Sequence, residues 1–386
     1  MKALAVLPPD RWIEINLLDT LRRYYCDQLR VFTYPGGMGC LGSRLWRKQR
    51  DDLTVELVRS ARALKAAGEL DFIFCMVYDD FLTVETAEQL RQLNVPMVNY
   101  HVDMAFQWYR VINTAPYFDL LAVAQTTHAQ DLASYNENIY SMPMAANPDW
   151  YGADGSPASD VRHDLSFVGS FNPFRRALIA DCVTHGFKPA VYGRGWQSSA
   201  PSPYRFDWDC YKLWHDLRHY AVPRLRAEGV SSLIEAVRRK VSRGRTLPEV
   251  VGPEFHPPCS DEALPVIFRS SKVNLGFSDT GWHADSRVVP SGNLQCRLRD
   301  FEVPMSGGFY LVQRAPGHDE YYTLGEEIET WTTSEELIDK LSYFSTHEDA
   351  AGRIREAGRK RAMASHTWRH RFDGMFQRLR DSGAMV

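Results

Sequence analysis

Short apolar segments alternate with amphipathic segments along residues 1–150. Leu53–Ala67 has apolar residues three and four positions apart, the spacing of one face of an α-helix. Ile13–Tyr25 and Val84–Leu93 are predicted helices of the same kind. The apolar segments predict the strands Ala3–Leu7, Gln28–Thr33, Phe72–Val77, Pro96–Tyr100, Asp119–Ala124 and Ile139–Met142. Because strands separated by helices of this length are typical of βαβ units, residues 1–150 are predicted to form an N-terminal Rossmann-like domain with a mostly parallel sheet.

The alternation stops in Asn147–His163 and then starts again. This stretch is rich in Pro, Gly, Asp and Ser, which indicates an interdomain linker. Residues 164–372 are expected to form a second Rossmann-like domain, with residues 373–386 as a C-terminal tail. The last helices of the chain could cross back to the first domain. The predicted strands of the second domain are Asp164–Val168, Pro189–Tyr192, Lys272–Phe277, Gly308–Val312 and Ile328–Trp331. One helix of this domain is predicted to end at Cys182. The other predicted helices are Asp261–Ser271, Arg299–Ser306, Ser334–Ser345 and Ala350–Ser365.

Residues 196–258 interrupt the second pattern. They are too many for an ordinary βα connection, so we predict a helical insertion. It contains many aromatic residues and the basic run SLIEAVRRKVSRGR. One interpretation is an element that binds an acceptor or a membrane surface. The other is a solvated helical hairpin packed on its neighbour, which is what a run of charges usually indicates.

Composition narrows the class of protein without identifying it. With 386 residues, 44% hydrophobic and 24% charged, the chain has the composition of a soluble globular protein of two domains. A net charge of −3 provides no overall field for a polyanion, so nucleic acid is not an expected partner. The seven cysteines show no CxxC spacing. The apolar run before Pro8 is too short for a signal peptide, and no stretch could span a membrane, so we expect a cytoplasmic protein whose membrane contact is at most peripheral.

The segment CRLRDFEVPMSGGFYLV, residues 296–312, concentrates groups that suit a nucleotide. A helix with Glu302 is predicted to end at Ser306, Gly307 and Gly308, where glycine permits a left-handed cap and a close ligand approach. A glutamate there can accept hydrogen bonds from both hydroxyls of a ribose. Arg297 and Arg299 precede the helix, where guanidinium groups can meet a pyrophosphate. The alternative is that Glu302 only pairs with Arg299, three residues away on the helix.

The order of several segments gives this motif a context. SSKVNLGFS, RLRDFEVPMSGGFYLV, GEEIETWTTSEELIDKLSYF and REAGRKRAMASHTWRHR, together with LSFVGSFNPFRR and VYGRGW, closely resemble the C-terminal domain of CgeB-like glycosyltransferases. These are relatives of the group 1 retaining glycosyltransferases. The resemblance covers residues 164–195 and 264–372. It implies the α/β GT-B fold, in which two Rossmann-like domains with parallel sheets face an interdomain cleft. Residues 1–150 would then be the acceptor domain and residues 164–372 the nucleotide-sugar domain.

The resemblance also implies roles for individual residues. Glu302 matches the ribose-binding glutamate of the family, and His366 and Thr367 match a closing signature that we regard as structural. The remaining matches lie in loops and strand ends that the family uses for the donor: Ser306, Gly307 and Gly308 after the glutamate helix, Gly169 and Ser170 in the first loop, Tyr192, Gly193 and Gly195 in the second, and Asn274 and Ser278 at a strand end.

One position departs from the wider superfamily. Where that superfamily has a second glutamate, eight residues before the first, this chain has Leu294. The donor sugar would then be contacted by Asp279, by His283 or by the backbone at Gly292–Asn293. Arg175 and Arg176 have two interpretations, as phosphate contacts or as ordinary solvated helix charges.

In the first half, VNYHVDMAFQWY places His101 and Asp103 just past the end of a predicted parallel strand. Ligands bind at this edge of open α/β sheets, so these two residues are the candidate catalytic groups. Asp103 would act as a base or orient the acceptor hydroxyl, and His101 would contact the donor sugar. The alternative is a capping aspartate and a partly buried histidine bonded to the backbone. Asp79 and Asp80 follow a neighbouring strand, and Gly36–Gly37 could belong to a loop over the site or to a simple turn.

These observations predict a glycosyltransferase that moves a sugar from a nucleotide-diphosphate donor to a hydroxyl of a saccharide, protein or small molecule, with retention. No DxD-type signature occurs at a suitable place, so we expect no metal and no other cofactor. Two alternatives stay open: a nucleotide-sugar epimerase or hydrolase on the same fold, and a non-catalytic protein that binds nucleotide sugars or saccharides. A DNA-modifying transferase would have only the basic run at residues 238–245 in its support.

Overall fold

A computed structural model describes residues 1–35, 44–152, 161–196, 210–242, 252–280, 289 and 293–385. The side chains at 44, 45 and 235–242 are not described. The chain divides into two compact units. The first contains Met1–Pro143, Tyr204–Val237 and Arg371–Val386, and the second contains Met144–Pro203 and Arg238–His370.

The first unit is built on a sheet of six parallel strands. Its strands are β1 (Lys2–Leu7), β2 (Gln28–Thr33), β3 (Phe72–Cys75), β4 (Met97–His101), β5 (Leu120–Val123) and β6 (Ile139–Ser141), in the order β2-β1-β3-β4-β5-β6. All six lie where the alternation of apolar segments predicts them. Parallel strands need crossover connections, and the helices between the strands provide them.

The helices of the first unit surround this sheet. They are α1 (Arg11–Ile13), α2 (Asp19–Tyr24), α3 (Arg44–Ala66), α4 (Val84–Arg91), α5 (Met104–Gln107), α6 (Ala129–Ala133), α9 (Cys210–Asp216), and most of α10 (Val222–Ser242) and of α16 (Trp368–Asp381), with short π or 3-10 turns at Glu14–Leu18, Trp108–Val111, Ala115–Tyr117 and Leu217–Ala221. Both faces of the sheet are covered, because Ile73 belongs to the main core cluster while Phe72 and Phe74 contact Phe376 and Phe372 of α16. This explains the nearly continuous apolar sequence of β3.

The second unit has its own six-stranded parallel sheet. Its strands are β7 (His163–Val168), β8 (Pro189–Tyr192), β9 (Glu254–His256), β10 (Ser271–Gly276), β11 (Tyr310–Gln313) and β12 (Glu329–Trp331), in the order β12-β11-β10-β7-β8-β9. Its helices are α7 (Pro148–Tyr151), α8 (Pro173–Thr184), α11 (Leu264–Arg269), α12 (Arg299–Met305), α13 (His318–Tyr321), α14 (Ser334–Thr346) and α15 (Glu348–Ser365), with a 3-10 turn at Asp261–Ala263. A separate core cluster that includes Leu165, Leu275 and Leu311 lies within this unit.

The structure differs from the predicted pattern in three places. Strand β9 pairs with β8 inside the predicted insertion, and its three residues are too few to show a period of two. Tyr204–Val237, which we assigned to an insertion of the second domain, clusters with the first unit. The predicted tail at 373–386 begins inside α16, whose aromatic residues pack on β3.

The order of the second sheet determines where a ligand can be expected. Strand β7 lies beside β10 on one side and β8 on the other, so the chain reverses its direction of travel across the sheet between β7 and β10. In open α/β sheets, ligands bind beyond the carboxyl ends of the strands at this switch point. A ligand-binding site is therefore expected at the loops that follow β7 and β10.

Candidate functional site

A buried aspartate connects the two loops at the switch point of the second sheet. Asp279 follows β10, is 0% exposed, and accepts hydrogen bonds from Asn172 Nδ2 (2.7 Å) and Arg175 Nε (3.0 Å). Arg175 also donates to the carbonyl of Ser170 at 2.9 Å. These bonds fix the loop after β7 against the end of β10. Arg175 therefore has a third role besides the two considered from the sequence, since its guanidinium holds the loops together.

Helix α12 begins close to this loop pair. Arg297, just before the helix, donates a guanidinium hydrogen bond to the carbonyl of Asp279, and its backbone N–H donates to Asp300 Oδ2 at 2.8 Å. The helix start is thus bonded both to the end of β10 and to its own first turn. Asp300 and Glu302, two residues apart on α12, are both buried.

A buried hydrogen-bond network supports Asp300. Tyr310 donates its hydroxyl to Asp300 Oδ1 at 2.9 Å. The N–H of Ala315 donates to His318 Nδ1 (3.1 Å), so the ring proton of His318 is on Nε2, which donates to Asp300 Oδ2 at 2.8 Å. Burial raises the pKa of the nearby Cys296 thiol well above its usual range. The sequence offered no signal for this network, because its members come from three different elements.

The same network contains the one group of potential metal ligands in the described part of the chain. One atom each of Cys296, Asp300 and His318 lies within 4.8 Å of the others. Each of these atoms already takes part in a hydrogen bond, with Cys296 Sγ donating to the carbonyl of Pro316 at 3.4 Å. We interpret the group as a support for α12.

Glu302 has one carboxylate oxygen in an ion pair and one unpartnered. The residue is 0% exposed, and Arg299 pairs with its Oε2, as the structural alternative predicts. Oε1 is buried and has no hydrogen-bond partner among the residues the structure describes, and the same holds for Nε of Arg299. An unsatisfied buried acceptor costs about 1–3 kcal/mol, and more when it is charged. The pair with Arg299 therefore leaves hydrogen-bonding capacity for a ligand.

The end of α12 has the predicted glycine cap. Gly307 has a φ of 79°, the left-handed region, and the N–H of Gly308 bonds to the carbonyl of Val303 at 3.0 Å. At Gly308 a Cβ atom would lie 2.8 Å from Asn274 Nδ2 and 2.9 Å from a methyl carbon of Val303, so this glycine permits close packing. The hydroxyl of Ser306 is buried without a hydrogen-bond partner in the described residues.

The glycine loops after β7 and β8 contact each other. A Cβ on Gly193 would lie 2.0 Å from the carbonyl oxygen of Gly169, which also accepts a hydrogen bond from Trp196 Nε1 at 2.8 Å. The Tyr192 hydroxyl shares a 3.0 Å hydrogen bond with His163 Nε2, and its ring stacks on that of His256. Ser170 is exposed beside these loops. The absence of a side chain at Gly193 is thus required by the neighbouring backbone.

Asn274 and Ser278 bond to the protein itself. Asn274 Nδ2 donates to the carbonyls of Phe268 (2.9 Å) and Phe309 (3.1 Å), and its Oδ1 accepts from Ser166 at 3.1 Å. Ser278 donates to the carbonyl of Gln313 at 2.6 Å. Both residues are buried, and these bonds hold β10 against its neighbours.

The structure describes only part of the segment in which Leu294 stands where the wider superfamily has its second glutamate. Leu294 forms an isolated antiparallel bridge with Asp279, and the backbone of Asn293 accepts from Thr280 N at 2.9 Å. His283 and Gly292, which we considered as sugar contacts, lie outside the described residues. Farther along, His366 Nε2 bonds to the carbonyl of Tyr321 at 2.8 Å and Thr367 bridges to Ala146, in keeping with a structural role.

In the first unit, His101 and Asp103 lie at the carboxyl end of β4. His101 is 2% exposed, and its Nε2 lies 3.2 Å from the carbonyl of Gln107. Burial, with a contribution from Arg110, lowers the pKa of His101 to about 3, so the ring is neutral. Asp103 is half-buried, precedes α5 and accepts from Gln107 Nε2 at 3.2 Å. The histidine is thus more buried than the sequence suggests.

Asp79 and Asp80 have separate structural partners. Asp79 accepts four hydrogen bonds of 2.7–3.1 Å from backbone and side-chain groups of Asn113 and Thr114. Burial nevertheless raises the pKa of Asp79 to about 6. Asp80 forms a buried ion pair with Arg110 at 2.8 Å. Gly36 and Gly37 lie outside the described residues.

Sequence comparison adds a family match. Residues 226–377, which include the whole of α12, match a family described as "Glycosyl transferase-like". No curated protein matches the sequence. In the described residues, no helix is long and apolar enough to cross a membrane.

Several solved structures have a similar fold. A sucrose-phosphate synthase from Thermosynechococcus elongatus aligns over 100% of both chains, with a TM-score of 0.60 and 13% identity. Anabaena HepE, solved in complex with UDP-glucose, aligns over 99% of this chain and 100% of its own, with a TM-score of 0.60 and 11% identity. A glycosyltransferase from Rickettsia africae aligns over 98% of both chains, with a TM-score of 0.54 and 11% identity.

These findings define the class of the protein. The two parallel six-stranded sheets and the structural similarities show the GT-B fold. The family match identifies a glycosyltransferase group 1-like domain in the second half of the chain. The chain therefore has the GT-B fold, and its residues 226–377 match the glycosyltransferase-like family.

Proposed function

We propose that the protein transfers a sugar from a nucleoside-diphosphate sugar to a hydroxyl acceptor, with retention and without a metal, as a CgeB-like glycosyltransferase. The observation that supports this most is the buried Oε1 of Glu302 on α12, which has no hydrogen-bond partner among the described residues. It lies inside the segment that matches the glycosyltransferase family.

The groups around Glu302 suit a nucleoside diphosphate. A carboxylate oxygen can accept hydrogen bonds from the ribose hydroxyls, and charge-assisted bonds of this kind are stronger than neutral ones. Arg299 would hold the carboxylate in place with one nitrogen while its Nε meets the diphosphate. Arg297 lies beside it, and together the two cations would stabilise the negative charge that develops on the leaving group. The fold of the chain is similar to that of HepE, which has been solved with UDP-glucose and with UDP and glucose.

For catalysis we keep Asp103 and His101 as the proposed residues. Asp103 is half-buried at the carboxyl end of β4, where its carboxylate can orient an acceptor hydroxyl. His101 is neutral, so it can donate a hydrogen bond to a sugar or support the loop that contains Asp103. The exposure of the two residues favours Asp103 for direct contact and His101 for positioning.

The binding part of this proposal can be tested by thermal shift with UDP, GDP, dTDP and CMP. We expect one nucleotide to stabilise the wild type, and Glu302→Gln, which keeps the volume of the side chain, to lose most of that stabilisation. At one hundred times the Kd, the stabilisation corresponds to about 2.7 kcal/mol. Glu329→Gln is the matched control, because Glu329 lies in the same unit and pairs with Lys340. If no nucleotide stabilises the wild type, or if Glu302→Gln responds as the wild type does, the nucleotide site is not here.

The reaction itself is tested by nucleotide release from the preferred donor. Release that depends on an added acceptor supports a transferase, and release without acceptor supports the hydrolase alternative. Nucleotide binding without turnover supports a binding protein. Repeating the assay with EDTA tests metal independence, and the anomeric configuration of the product, read by NMR, tests retention.

A further inference from the structure

The first unit contains a pocket that the proposed reaction does not use. It lies between the first turns of α3 and the helical stretch from α9 through the π turn at Leu217–Ala221, and its volume is about 360 Å³. This size falls within the range of small-molecule sites. The residues that line it are mainly aromatic or basic: Trp46, Arg47, Arg50, Tyr211, Trp214 and His215, with Cys210 and His219 completing the wall.

A buried histidine in the wall lacks hydrogen bonds. His215 is 6% exposed, yet neither ring nitrogen has a hydrogen-bond partner in the part of the chain that the structure describes. The nearest carboxylate, Asp216 Oδ1, is 3.6 Å from Nδ1, which is beyond hydrogen-bonding distance. The His219 ring lies 4.7 Å away, and burial lowers the pKa of His219 to about 4. A polar ligand in the pocket would remove the cost of leaving His215 unsatisfied.

The aromatic and basic groups of the wall restrict the ligand further. Trp214 is 52% exposed and Tyr211 is 40% exposed, and the guanidinium of Arg218 lies 5.2 Å from the centroid of the Trp214 ring. Such rings can pack against the apolar C–H face of a sugar. The guanidinium of Arg47 has no ion pair with any residue of the described ranges, whereas that of Arg50 bonds to Asp51 at 2.6 Å. The described lining contains Arg47 and Arg50 and no carboxylate.

We propose that this pocket binds a saccharide with an acidic substituent, a carboxylate or a phosphate. The sugar ring packs on Trp214 and Tyr211, the acidic group pairs with Arg47, and a hydroxyl bonds to His215. This site lies entirely within the first unit and is separate from the nucleotide site at Glu302. The proposal concerns binding alone, so it can fail while the proposed reaction stands, and the reverse also holds.

The test is isothermal titration of the nucleotide-free protein with four probes: glucuronic acid, glucose 6-phosphate, glucose and inorganic phosphate. We expect glucuronic acid or glucose 6-phosphate to bind at least tenfold more tightly than glucose or phosphate; the stronger of the two identifies the acidic group. Arg47→Ala should weaken this binding by about tenfold, or about 1.4 kcal/mol. Lys48→Ala is the matched control, since Lys48 is an exposed cation on the same helix outside the pocket, and should bind as the wild type does.

Further variants test the rest of the wall. Trp214→Ala should weaken sugar binding, and Leu213→Ala, an exposed neighbour that does not line the pocket, should not. His215→Phe keeps a ring in place and should lose affinity for both acidic sugars. The proposal is overturned if none of the four probes binds, even when the titration is repeated at a tenfold higher probe concentration. It is also overturned if Arg47→Ala binds the acidic sugars as tightly as Lys48→Ala does, or if inorganic phosphate binds as tightly as the acidic sugars. Binding to phosphatidylglycerol vesicles that depends on Trp214, with no binding of sugars, would overturn it in favour of a lipid surface.

Discussion

Burial decides what single residues of this protein can do. Glu302 and Asp300 are neighbours on one helix and both are buried, yet Asp300 accepts bonds from Arg297, Tyr310 and His318 while one oxygen of Glu302 has no described partner. The first is a structural carboxylate and the second can accept from a ligand. The same distinction separates His101, whose ring bonds to a backbone carbonyl, from His215, whose ring nitrogens have no hydrogen bond within the described residues.

At the residue scale, His101 should make the stability of the first unit depend on pH. Its pKa is about 3 in the folded protein and 6.5 as the ordinary value. The stabilisation from a neutral buried ring is therefore complete above pH 6.5 and is lost progressively as the pH falls toward 3. Between pH 7 and pH 5 the loss is about 2 kcal/mol.

Denaturant unfolding of the wild type and of His101→Gln, at pH 7 and pH 5, measures this loss. The variant cannot titrate at this position, so its unfolding free energy should fall less between the two pH values. Asp79, whose pKa is raised to about 6, acts in the opposite direction in both proteins and cancels in the comparison. His185→Gln, at an exposed position, should keep the wild-type dependence; an identical loss in His101→Gln would contradict the assignment.

At the scale of elements, α12 is fixed at both ends before any ligand binds. Its start is bonded to the loop after β10 and its end turns at Gly307 into β11. Helix α15 packs against it, and at Gly358 of α15 the backbone carbonyl of Glu327 leaves no room for a side chain. A Cβ atom there would lie 2.1 Å from the carbonyl oxygen of Glu327 and 3.6 Å from Pro304 of α12.

Two glycines of α15 therefore form a natural comparison. Gly358→Ala should destabilise the protein by about 1–3 kcal/mol, because the backbone must move to admit the methyl group. Gly352→Ala, on the same helix with no atom within 4 Å of its Cβ, should be neutral or stabilising by up to about 1 kcal/mol. Thermal unfolding of both variants checks the difference, and equal effects would show that the helix is not packed as described.

At the scale of the whole molecule, each unit has its own sheet and its own hydrophobic core. The residues proposed for the nucleotide, from Gly169 to Gly308, belong to the second unit. The pocket lined by His215 belongs to the first. The two proposed sites therefore belong to different units and can be tested independently.

Native-state hydrogen exchange should show this separation. With the preferred nucleotide at one hundred times its Kd, amides of β7, β10 and β11 should gain up to about 2.7 kcal/mol of protection. Amides of β1, β3 and β4 should gain less. A larger gain in the first unit than in the second would place the nucleotide site elsewhere.

The sequence determined the sheets more fully than the site. All six strands of the first sheet, and five of the second, lie in segments that the sequence predicts as strands. The strands β3 and β5 are apolar along their length because all their residues are buried, whereas β2 is largely exposed and contains Gln28 and Arg30. The glycine cap of α12 was predictable for a similar local reason, since the left-handed conformation of Gly307 favours glycine. The resemblance to glycosyltransferases gave the GT-B fold, which the similar structures confirm.

Only the tertiary structure decided which polar side chains are available to bind a ligand. Arg175, Asn274 and Ser278 have the residue types of a binding site, but their hydrogen bonds go to neighbouring strands and loops. The helices at 210–237 are predictable as helices, whereas their place in the first unit depends on contacts between residues distant along the chain. Apolar periodicity is a local property of the chain, and the pairing of a buried polar group is not. The sequence by itself therefore determined the two sheets and the position of Glu302. Only the folded structure showed that Oε1 of Glu302 and the ring nitrogens of His215 lack hydrogen bonds within the described residues.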